Sequence, residues 1–375
     1  MTMTTDSIGL YIHIPFCLKK CVYCDFSSYS GVSSDLRERY IDALCKEILS
    51  YKDTGLTLDT VFFGGGTPSL LEVSELQRIF ESIRNSFVLL PSAEISLEAN
   101  PGTLNKDKLI GYYNIGINRI SIGCQSLCDK ELQALGRIHT AADFYQAYDL
   151  VREVGFKNVN VDIMYGIPNQ TLDEFGKTLD KIIEISPEHI SMYGLILEPG
   201  TQLWNSKDSL ALPSEDIECE MYSLAAARLG AHGYSHYEIS NYAKEGYKCA
   251  HNLKYWRCEE YIGVGLSAHS FFESKRFFNP SSFDQYFDSF ERGREVEEIL
   301  DSESLAYEYA MMRLRLQEGI PLDEYKHLFR SDFLTGREQK IDLYKRLGYI
   351  LIENERLSLT ERGFYVSNTI LSELL

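Results

Sequence analysis

The chain has 375 residues, with 55 Asp and Glu against 37 Lys and Arg, and a formal net charge of −18. This acidic balance argues against general nucleic-acid binding, which needs a basic surface. No run of about eighteen apolar residues predicts a transmembrane helix, and the polar residues 1–6 have no signal-peptide pattern. We therefore expect a cytoplasmic protein.

Short β-rich runs alternate with longer amphipathic stretches over residues 1–212. The predicted strands are 10–14, 60–63, 94–98, 119–123, 158–165 and 189–196, and the predicted helices between them include 35–51, 73–86, 105–113 and 141–154. Six such alternations predict parallel strands with right-handed crossovers. A closed eight-unit barrel usually needs about 250 residues, so we interpret this α/β region as an incomplete (β/α)6 barrel. A flat doubly wound sheet is the alternative.

The pattern changes after about residue 213. A helix is predicted over 217–230, and a stretch rich in aromatics and Gly runs from 234 to 278, inside an extension that we place at 213–300. Helix 341–347, strands 349–353 and 357–359, and a last helix from residue 361 resemble a small α+β winged-helix module at 301–375. Its first helix carries no basic stripe and does not predict DNA binding.

Three of the nine cysteines, Cys17, Cys21 and Cys24, crowd onto one loop after the first predicted strand. The odd total favours reduced thiols and one metal site over a disulfide framework. Structural zinc sites and ferredoxin-type clusters normally have four protein ligands. Three thiolates would leave one iron of a [4Fe–4S] cluster open, which favours chemistry over scaffolding. The alternatives are a zinc loop completed by His13 or Asp25, or three thiols that bind no metal.

The Cys-x3-Cys-x2-Cys spacing resembles the radical S-adenosylmethionine (SAM) signature, and residues 11–17 look like its porphyrin-related branch. The resemblance runs from about residue 8 to the C-terminus. It implies that the amino and carboxylate groups of SAM bind the fourth iron, and that one-electron reduction releases a 5′-deoxyadenosyl radical. In such proteins the cofactor carries the chemistry, and the chain orients it and excludes water.

Polar and glycine residues follow several predicted strands, at the ends where barrel proteins place their active sites. Each alone is more often a cap or a surface group. An Arg suits a carboxylate because its fork binds in bidentate fashion, and Arg137 stands where we expect a helix to begin. The resemblance implies SAM-contacting or cluster-side roles for Tyr11, Gly65, Gly66, Thr67, Glu98, Gln125, Arg137, Asp162 and Gly194.

His251, Tyr255 and Trp256 stand together outside the six barrel units. They could bind a flat ligand, with His as an axial iron ligand and the aromatics as stacking faces. From chemistry alone, a core histidine beside buried aromatics is favoured. The segment, however, resembles the His-Asn-x-x-Tyr-Trp motif of HemW-type heme chaperones, relatives of the oxygen-independent coproporphyrinogen III oxidase. The resemblance implies that these three residues bind heme.

Two departures from the oxidase pattern argue against decarboxylation of a porphyrinogen. Phe26 stands where the oxidase carries a further Cys, and Tyr11 is only the eleventh residue, so we expect the long N-terminal extension of the oxidase to be missing. The resemblance thus implies a heme chaperone with a [4Fe–4S] cluster, SAM and heme, which delivers heme to acceptor hemoproteins. The oxidase and a zinc-binding interaction protein are the alternatives. Membrane-bound acceptors, peripheral membrane contact through a partner, and a homodimer stay open.

Overall fold

The computed structural model of the protein describes residues 6–292 and 296–375. The expectation about a signal peptide falls mainly on residues 1–5, which lie outside the described residues. The first part of the chain forms β1 (Ile8–Ile14), β2 (Phe16–Cys17), β3 (Tyr29–Ser30), α1 (Ser34–Leu49), β4 (Thr57–Gly65), α2 (Val73–Ser86), β5 (Val88–Ala99), α3 (Lys106–Ile115), β6 (Arg119–Gln125), α4 (Asp129–Ala134), α5 (Ala141–Val154), β7 (Asn158–Tyr165), α6 (Leu172–Ile185) and β8 (His189–Gly194).

The six long strands of this part pair in parallel, in the order β1-β4-β5-β6-β7-β8. The order follows the chain, without the reversal that a doubly wound sheet has at its switch point. The prediction of a partial barrel is therefore confirmed. Helices 73–86 and 141–154 and strand 158–165 have the predicted bounds.

Local capping signals fix where several helices begin. Thr140 and Asp143 form a capping box at the start of α5, and Thr171 and Glu174 form another at the start of α6. Each pair satisfies two backbone N–H groups that the first turn of a helix leaves without partners. These boxes therefore stabilise the first turns of α5 and α6.

Alternation along each strand separates an apolar outer face from a polar inner face. Ile120 on β6 and Val161 on β7 are fully buried in the main core with helix residues such as Ile79. Their neighbours Ser121 and Asp162 line a cavity instead. Successive side chains of a strand point to opposite faces, so one sheet stabilises the fold on its outer side and presents chemistry on its inner side.

The middle part of the chain extends this sheet at both edges. It contains α7 (Gln202–Asn205), α8 (Glu215–Ala231), β9 (Ser235–Glu238), β10 (Asn241–Ala243), α9 (Ala250–Trp256), β11 (Tyr261–Val264), β12 (His269–Phe272), β13 (Lys275–Phe278), α10 (Phe283–Arg292) and β14 (Val296–Ile299). Strand β11 pairs in parallel with β1 and leads to antiparallel β12, β13 and β14, while β10 pairs antiparallel with β8 and leads to β9. Sequence patterns did not predict that this part completes the sheet.

The C-terminal part packs as a separate small unit. It comprises α11 (Ser302–Arg313), β15 (Ile320–Pro321), α12 (Leu322–Phe329), α13 (Glu338–Arg346), β16 (Ile350–Glu353), β17 (Arg356–Leu359), α14 (Glu361–Tyr365) and α15 (Ser367–Leu374), with its three strands in the order β15-β17-β16. The predicted helix–strand–strand–helix order is confirmed. Glu318 ties this part to α9 because it accepts hydrogen bonds from both Arg257 and Arg313.

Candidate functional site

The inner face of the sheet encloses a cavity of about 540 Å³. Residues 17–24, the cysteine loop, lie at its mouth, and the carboxyl ends of β4 to β8 form its wall. Asn252 and Tyr255 of α9 reach the cavity from the side of the extension. All the residues predicted for the cluster and for SAM line this cavity, and so does Tyr255. His251 and Trp256 are not among the lining residues.

The three cysteines are half-buried, with Cys17 at the end of β2 and Cys21 and Cys24 on the loop that follows it. The Thr67 hydroxyl donates to the Cys17 sulfur at 3.6 Å, and Arg137 Nη1 donates to the Cys21 sulfur at 3.5 Å. These two hydrogen bonds orient the sulfurs of Cys17 and Cys21. The loop thus offers three accessible sulfurs in a setting that suits an iron–sulfur cluster.

The glycine turn after β4 passes directly behind the cysteine loop. A Cβ atom added to Gly66 would lie 2.7 Å from the Phe16 carbonyl oxygen and 3.1 Å from the Cys17 sulfur. Gly65 has a φ of +109°, and a Cβ atom there would lie 2.5 Å from His13 Cε1. Glycine is required at both positions, because the turn must pass under the loop without a side chain.

His13, the alternative fourth ligand, is already engaged. Its Nδ1 lies 3.1 Å from the Tyr11 hydroxyl and its Nε2 lies 2.8 Å from the Ser27 carbonyl oxygen. Burial lowers the pKa of His13, so the ring is a neutral packing group beneath the glycine turn. Within residues 6–292 and 296–375, no three His, Cys, Asp or Glu side chains, Cys17, Cys21 and Cys24 included, are placed to hold one metal ion. The cluster assignment therefore rests on the cysteine spacing and on the donors beside the sulfurs.

Two half-buried carboxyl groups, Glu98 on β5 and Asp162 on β7, line the wall of the cavity. Burial and the charge of Asp162 raise the pKa of Glu98 to about 8, although the Gly65 N–H donates to its Oε2 at 3.1 Å. Burial also raises the pKa of Asp162, against hydrogen bonds from Asn160 and Ser121. A cation that entered the cavity would stabilise both carboxylates. SAM carries a sulfonium and an ammonium group, so the carboxyl groups of Glu98 and Asp162 fit SAM.

Gln125 and Arg137 shape the end of β6. Gln125 has a φ of +67°, the left-handed region that a non-glycine residue rarely adopts and that often marks a functional site. Arg137 lies in the loop between α4 and α5, and its Nη2 donates to Asn100 Oδ1 at 2.5 Å and to the Gly123 carbonyl at 2.7 Å. The expectation that a helix begins at Arg137 is therefore wrong, because Arg137 precedes α5, which begins at Ala141 as predicted.

Gly194 and Tyr11 complete the wall. A Cβ atom on Gly194, the last residue of β8, would lie 3.0 Å from the Tyr165 hydroxyl, which is outside the cavity lining, so Gly194 meets the cavity through its backbone. Tyr11 points inward from β1 and stacks near Phe62, with ring centroids 6.3 Å apart. Burial and the charge of Glu98 raise the pKa of Tyr11, so its hydroxyl stays protonated.

His251, on α9, is packed against the inner face of strands β1 and β4. Only 1% of its surface is exposed, its Nδ1 lies 2.8 Å from the Thr60 hydroxyl, and its Nε2 lies 2.8 Å from the Tyr255 hydroxyl. Its ring stacks on Phe62 with centroids 5.2 Å apart. Burial and the charge of Lys254 lower the pKa of His251 to about 3. Both nitrogens of the neutral imidazole are thus occupied by hydroxyl groups.

Trp256 faces away from the cavity. It packs against a small cluster made by Tyr237, Ala243, Leu253 and Leu316, which joins α9 to β9, β10 and the C-terminal part. The structure therefore brings Tyr255, but not Trp256, to the cavity. The predicted group of three aromatic and imidazole side chains does not share one surface.

Several polar residues of the inner face were missed by motif reading. Arg119 and Ser121 on β6, Asn160 on β7 and Ser191 on β8 all line the cavity. The signal that could have found them is the strict alternation of polar and apolar residues along these strands, which indicates a sheet with a polar face. At the mouth, Phe26 is 64% exposed.

Two models of known families match separate parts of the chain. Residues 11–182 match the model of the radical SAM superfamily, and residues 300–366 match that of the HemN C-terminal domain. The chain is similar to the heme chaperone HemW of Escherichia coli (strain K12), at 38% identity over 325 residues, covering 85% of each chain. It is also similar to HemW of Synechocystis sp. (strain PCC 6803 / Kazusa), at 38% identity, covering 97% of this chain and 95% of that one.

Among solved structures, the chain resembles the coproporphyrinogen III oxidase HemN of Escherichia coli, described as a radical SAM enzyme. The TM-score is 0.85 with 22% identity, covering 98% of this chain and 90% of the other. At this identity the likeness concerns the fold. It supports the partial barrel and the small C-terminal part as one architecture.

Proposed function

Because the chain belongs to the radical SAM superfamily and, within it, to the family of HemW heme chaperones, we propose that it binds heme and passes it to acceptor hemoproteins. The observation that carries this proposal is the similarity to curated heme chaperones along nearly the whole chain. Membership in the radical SAM family implies a [4Fe–4S] cluster and SAM. The alternatives of an oxidase and a zinc protein have less support.

In this proposal the cysteine loop holds the cluster through Cys17, Cys21 and Cys24. Thr67 and Arg137 support two of the sulfurs by donating hydrogen bonds to them. When bound, the cluster and SAM supply one-electron chemistry. The glycine turn at Gly65 and Gly66 leaves backbone room beside the cluster for the amino end of SAM.

The wall residues take the remaining parts of SAM. Glu98 and Asp162 lie in a buried chamber where a cation restores their ionised forms, so they suit the positive groups and the ribose hydroxyls of SAM. Arg137 offers further N–H donors to its carboxylate. Gln125, Gly194 and Tyr11 complete the contacts that we propose from the family pattern.

For heme, we propose that His251 ligates the iron and that Tyr255 and Trp256 flank it. The contacts of His251 set a condition on this assignment. The imidazole must first release the Thr60 or the Tyr255 hydroxyl, because each of its nitrogens has a hydroxyl partner at 2.8 Å. Heme loading through His251 therefore requires α9 to move from its present packing.

Titration with heme, followed by its visible absorption, tests this assignment. We expect the wild type to bind one heme per chain and His251→Ala to bind at least tenfold more weakly. His232→Ala is the matched control, because His232 is exposed on the far end of α8. Unchanged heme affinity in His251→Ala would remove this residue as the ligand without removing the heme-binding proposal.

The variant Tyr255→Phe distinguishes iron ligation by His251 from the packing of Tyr255 beside it. This variant removes the hydroxyl that holds His251 Nε2 but keeps the ring that packs beside it. If His251 is the iron ligand, its freed nitrogen binds heme at least as tightly as in the wild type. A large loss of affinity would instead assign the hydroxyl of Tyr255 itself to the heme.

The remaining expectations extend this proposal. We propose a cytoplasmic protein whose acceptors include membrane-bound hemoproteins, and which forms a homodimer. Within residues 6–292 and 296–375, none of the helices has both the length and the apolar composition needed to cross a bilayer. The division into parts 1–212, 213–300 and 301–375 is likewise proposed, with the middle part as an extension of the barrel sheet.

A further inference from the structure

A second, much smaller opening reaches the cysteine loop. This outer cleft has a volume of about 20 Å³ and lies between the cysteine loop, the turn at 100–103 and the loop at 136–139. Cys21 and Arg137 line both the outer cleft and the main cavity, so Cys21 borders two openings. A volume of this size holds about one water molecule. The outer cleft therefore admits neither SAM nor heme.

Hydrogen bonds fix the base of the outer cleft beside two of the cluster sulfurs. Asn100 accepts from Arg137 Nη2 at 2.5 Å and donates to the Thr67 hydroxyl at 2.9 Å. Arg137 also donates to the Cys21 sulfur. Thr67 in turn donates to the Cys17 sulfur. One connected network thus joins the surface of the cleft to both sulfurs.

The outer cleft is positively charged in a strongly acidic chain. Lys19 and Arg137 line it, and no Asp or Glu is among the described residues that line it, although the whole chain carries a net charge of −18. Burial and the charge of Arg137 lower the pKa of His139, which also lines the cleft, to about 4, so its ring is neutral. Asp129 and Asp143 lie near His139, but both accept hydrogen bonds from helix N–H groups.

Exposed apolar side chains border the same cleft. Leu18, on the cysteine loop, is 57% exposed, and Ile138, on the loop before α5, is 56% exposed. The two loops are held together because the Val22 N–H donates to the Leu135 carbonyl at 3.3 Å. Apolar side chains with a polar rim are typical of protein-binding surfaces. Weak complexes of electron-transfer proteins bury less than about 1,200 Å², so a small patch is enough.

We propose that the outer cleft is the docking surface of an acidic one-electron carrier protein that reduces the cluster. The inference rests on the cluster that the family implies and not on heme binding. An electron can cross where SAM and heme cannot enter, since electron transfer needs a short distance and not a channel. One electron leaves the carrier, which is oxidised, and enters the cluster, which is reduced; no bond forms or breaks. An acidic surface is attracted by Lys19 and Arg137 and repelled by the acidic chain elsewhere.

Stopped-flow reduction of the anaerobically reconstituted full-length protein tests this surface. The reductants are a reduced flavodoxin, which is an acidic one-electron carrier protein, and reduced methyl viologen, which is a small cation. Bleaching of the cluster absorption gives the second-order rate constant for each reductant. Iron analysis checks that each variant holds its cluster.

The variants Lys19→Glu and Ile138→Glu place a negative charge on the two walls of the outer cleft. Ile138 lies outside the cysteine loop, so its substitution leaves the sequence around the cluster ligands unchanged. Lys157→Glu is the matched control, because Lys157 is exposed just before β7, at the end of the sheet opposite to the cleft.

We expect Lys19→Glu and Ile138→Glu to lower the rate constant with flavodoxin by about tenfold at low salt. In about 1 M salt, where the Debye length is about 3 Å, the loss in Lys19→Glu should vanish. The rate constant with methyl viologen should stay the same or rise, because the new carboxylate does not repel a cation. Losses of equal size with both reductants in both variants would indicate a change in the cluster itself and would overturn the docking surface.

Equal rate constants with flavodoxin in the wild type, the two cleft variants and Lys157→Glu would also overturn the proposal. So would a wild type that methyl viologen reduces but flavodoxin does not. A reconstituted protein without iron would overturn the docking surface together with the cysteine assignment. The heme titration bears on the proposed function alone, so the two proposals fail independently.

Discussion

The cysteine loop and helix α9 carry the two motifs that stand out in the sequence, yet the structure treats them in opposite ways. Cys17, Cys21 and Cys24 are half-buried at the mouth of the cavity. His251 is fully buried, and both of its nitrogens have hydroxyl partners. The loop is open to a ligand without rearrangement, whereas α9 presents its histidine only after hydrogen bonds break.

This difference separates two kinds of functional residue. A metal ligand on an open loop contributes little to folding, so its substitution removes the cofactor and spares the chain. A histidine buried between α9 and the sheet contributes packing and hydrogen bonds whether or not it binds a ligand. Loss of heme binding in a His251 variant must therefore be weighed against loss of structure, and variants that sharpen this contrast are the most informative.

Substitution of a cluster cysteine should have the largest effect of all, because it changes the iron content of the protein. Cys21→Ser should abolish the cluster, so anaerobically reconstituted protein falls from about four iron atoms per chain to a small remainder. Cys219→Ser, at another half-buried cysteine on α8, should keep its iron. Iron and sulfide analysis measures both. Full iron content in Cys21→Ser would show that this residue is not a cluster ligand.

Substitution of His251 should instead destabilise the protein. His251→Ala leaves the Thr60 and Tyr255 hydroxyls unpaired and opens a void beside Phe62. We expect a loss of roughly 2–5 kcal/mol in the free energy of unfolding, measured by urea denaturation of the cluster-free protein. Cys21→Ser should change the same quantity by less than about 0.5 kcal/mol. Equal losses of unfolding free energy in His251→Ala and Cys21→Ser would contradict the difference between the buried histidine and the open cysteine loop.

Glu98, in the wall of the cavity, should make the free energy of unfolding depend on pH. Folding raises the pKa of Glu98 from 4.5 to about 8, so the folded state holds a proton that the unfolded state loses. Stability from this group is full below about pH 4.5 and declines up to about pH 8, by about 1.4 kcal/mol per pH unit. Denaturation of wild type and Glu98→Gln at several pH values measures it. A constant difference between the two would contradict the raised pKa.

The smallest effect is expected at Phe26, which is 64% exposed beside the cysteines. Phe26→Ala should change the free energy of unfolding by no more than about 0.5 kcal/mol, because the ring buries little surface. Thermal or urea unfolding measures this change. A loss above about 1 kcal/mol would mean that the cysteine loop is packed more tightly than its exposure indicates.

Much of the fold follows from local sequence patterns. The parallel strands, the crossover helices and the C-terminal helix–strand–strand–helix unit were predicted, because each depends on residues close in sequence. The pairing of β11 with β1 was not predicted, since it joins residues 9–12 to 261–264. No periodicity within either segment specifies the partner.

The candidate site shows the same limit. The cysteine spacing and the glycine turn are local, and all the residues predicted from them line one cavity. His251, Tyr255 and Trp256 are also adjacent in sequence, but helix α9 turns them toward different neighbours. Arg119 on β6 lies beside Ser96 on β5 and Asn158 on β7 only because three strands align. No sequence motif could predict this placement.

The most direct test divides one anaerobically reconstituted preparation in two. One half receives coproporphyrinogen III with SAM and a reductant, and the product is analysed for protoporphyrinogen. The other half is titrated with heme and followed by its visible spectrum. We predict no vinyl product and one heme bound per chain. Turnover to protoporphyrinogen without stoichiometric heme binding would contradict the chaperone assignment and make this protein an oxidase.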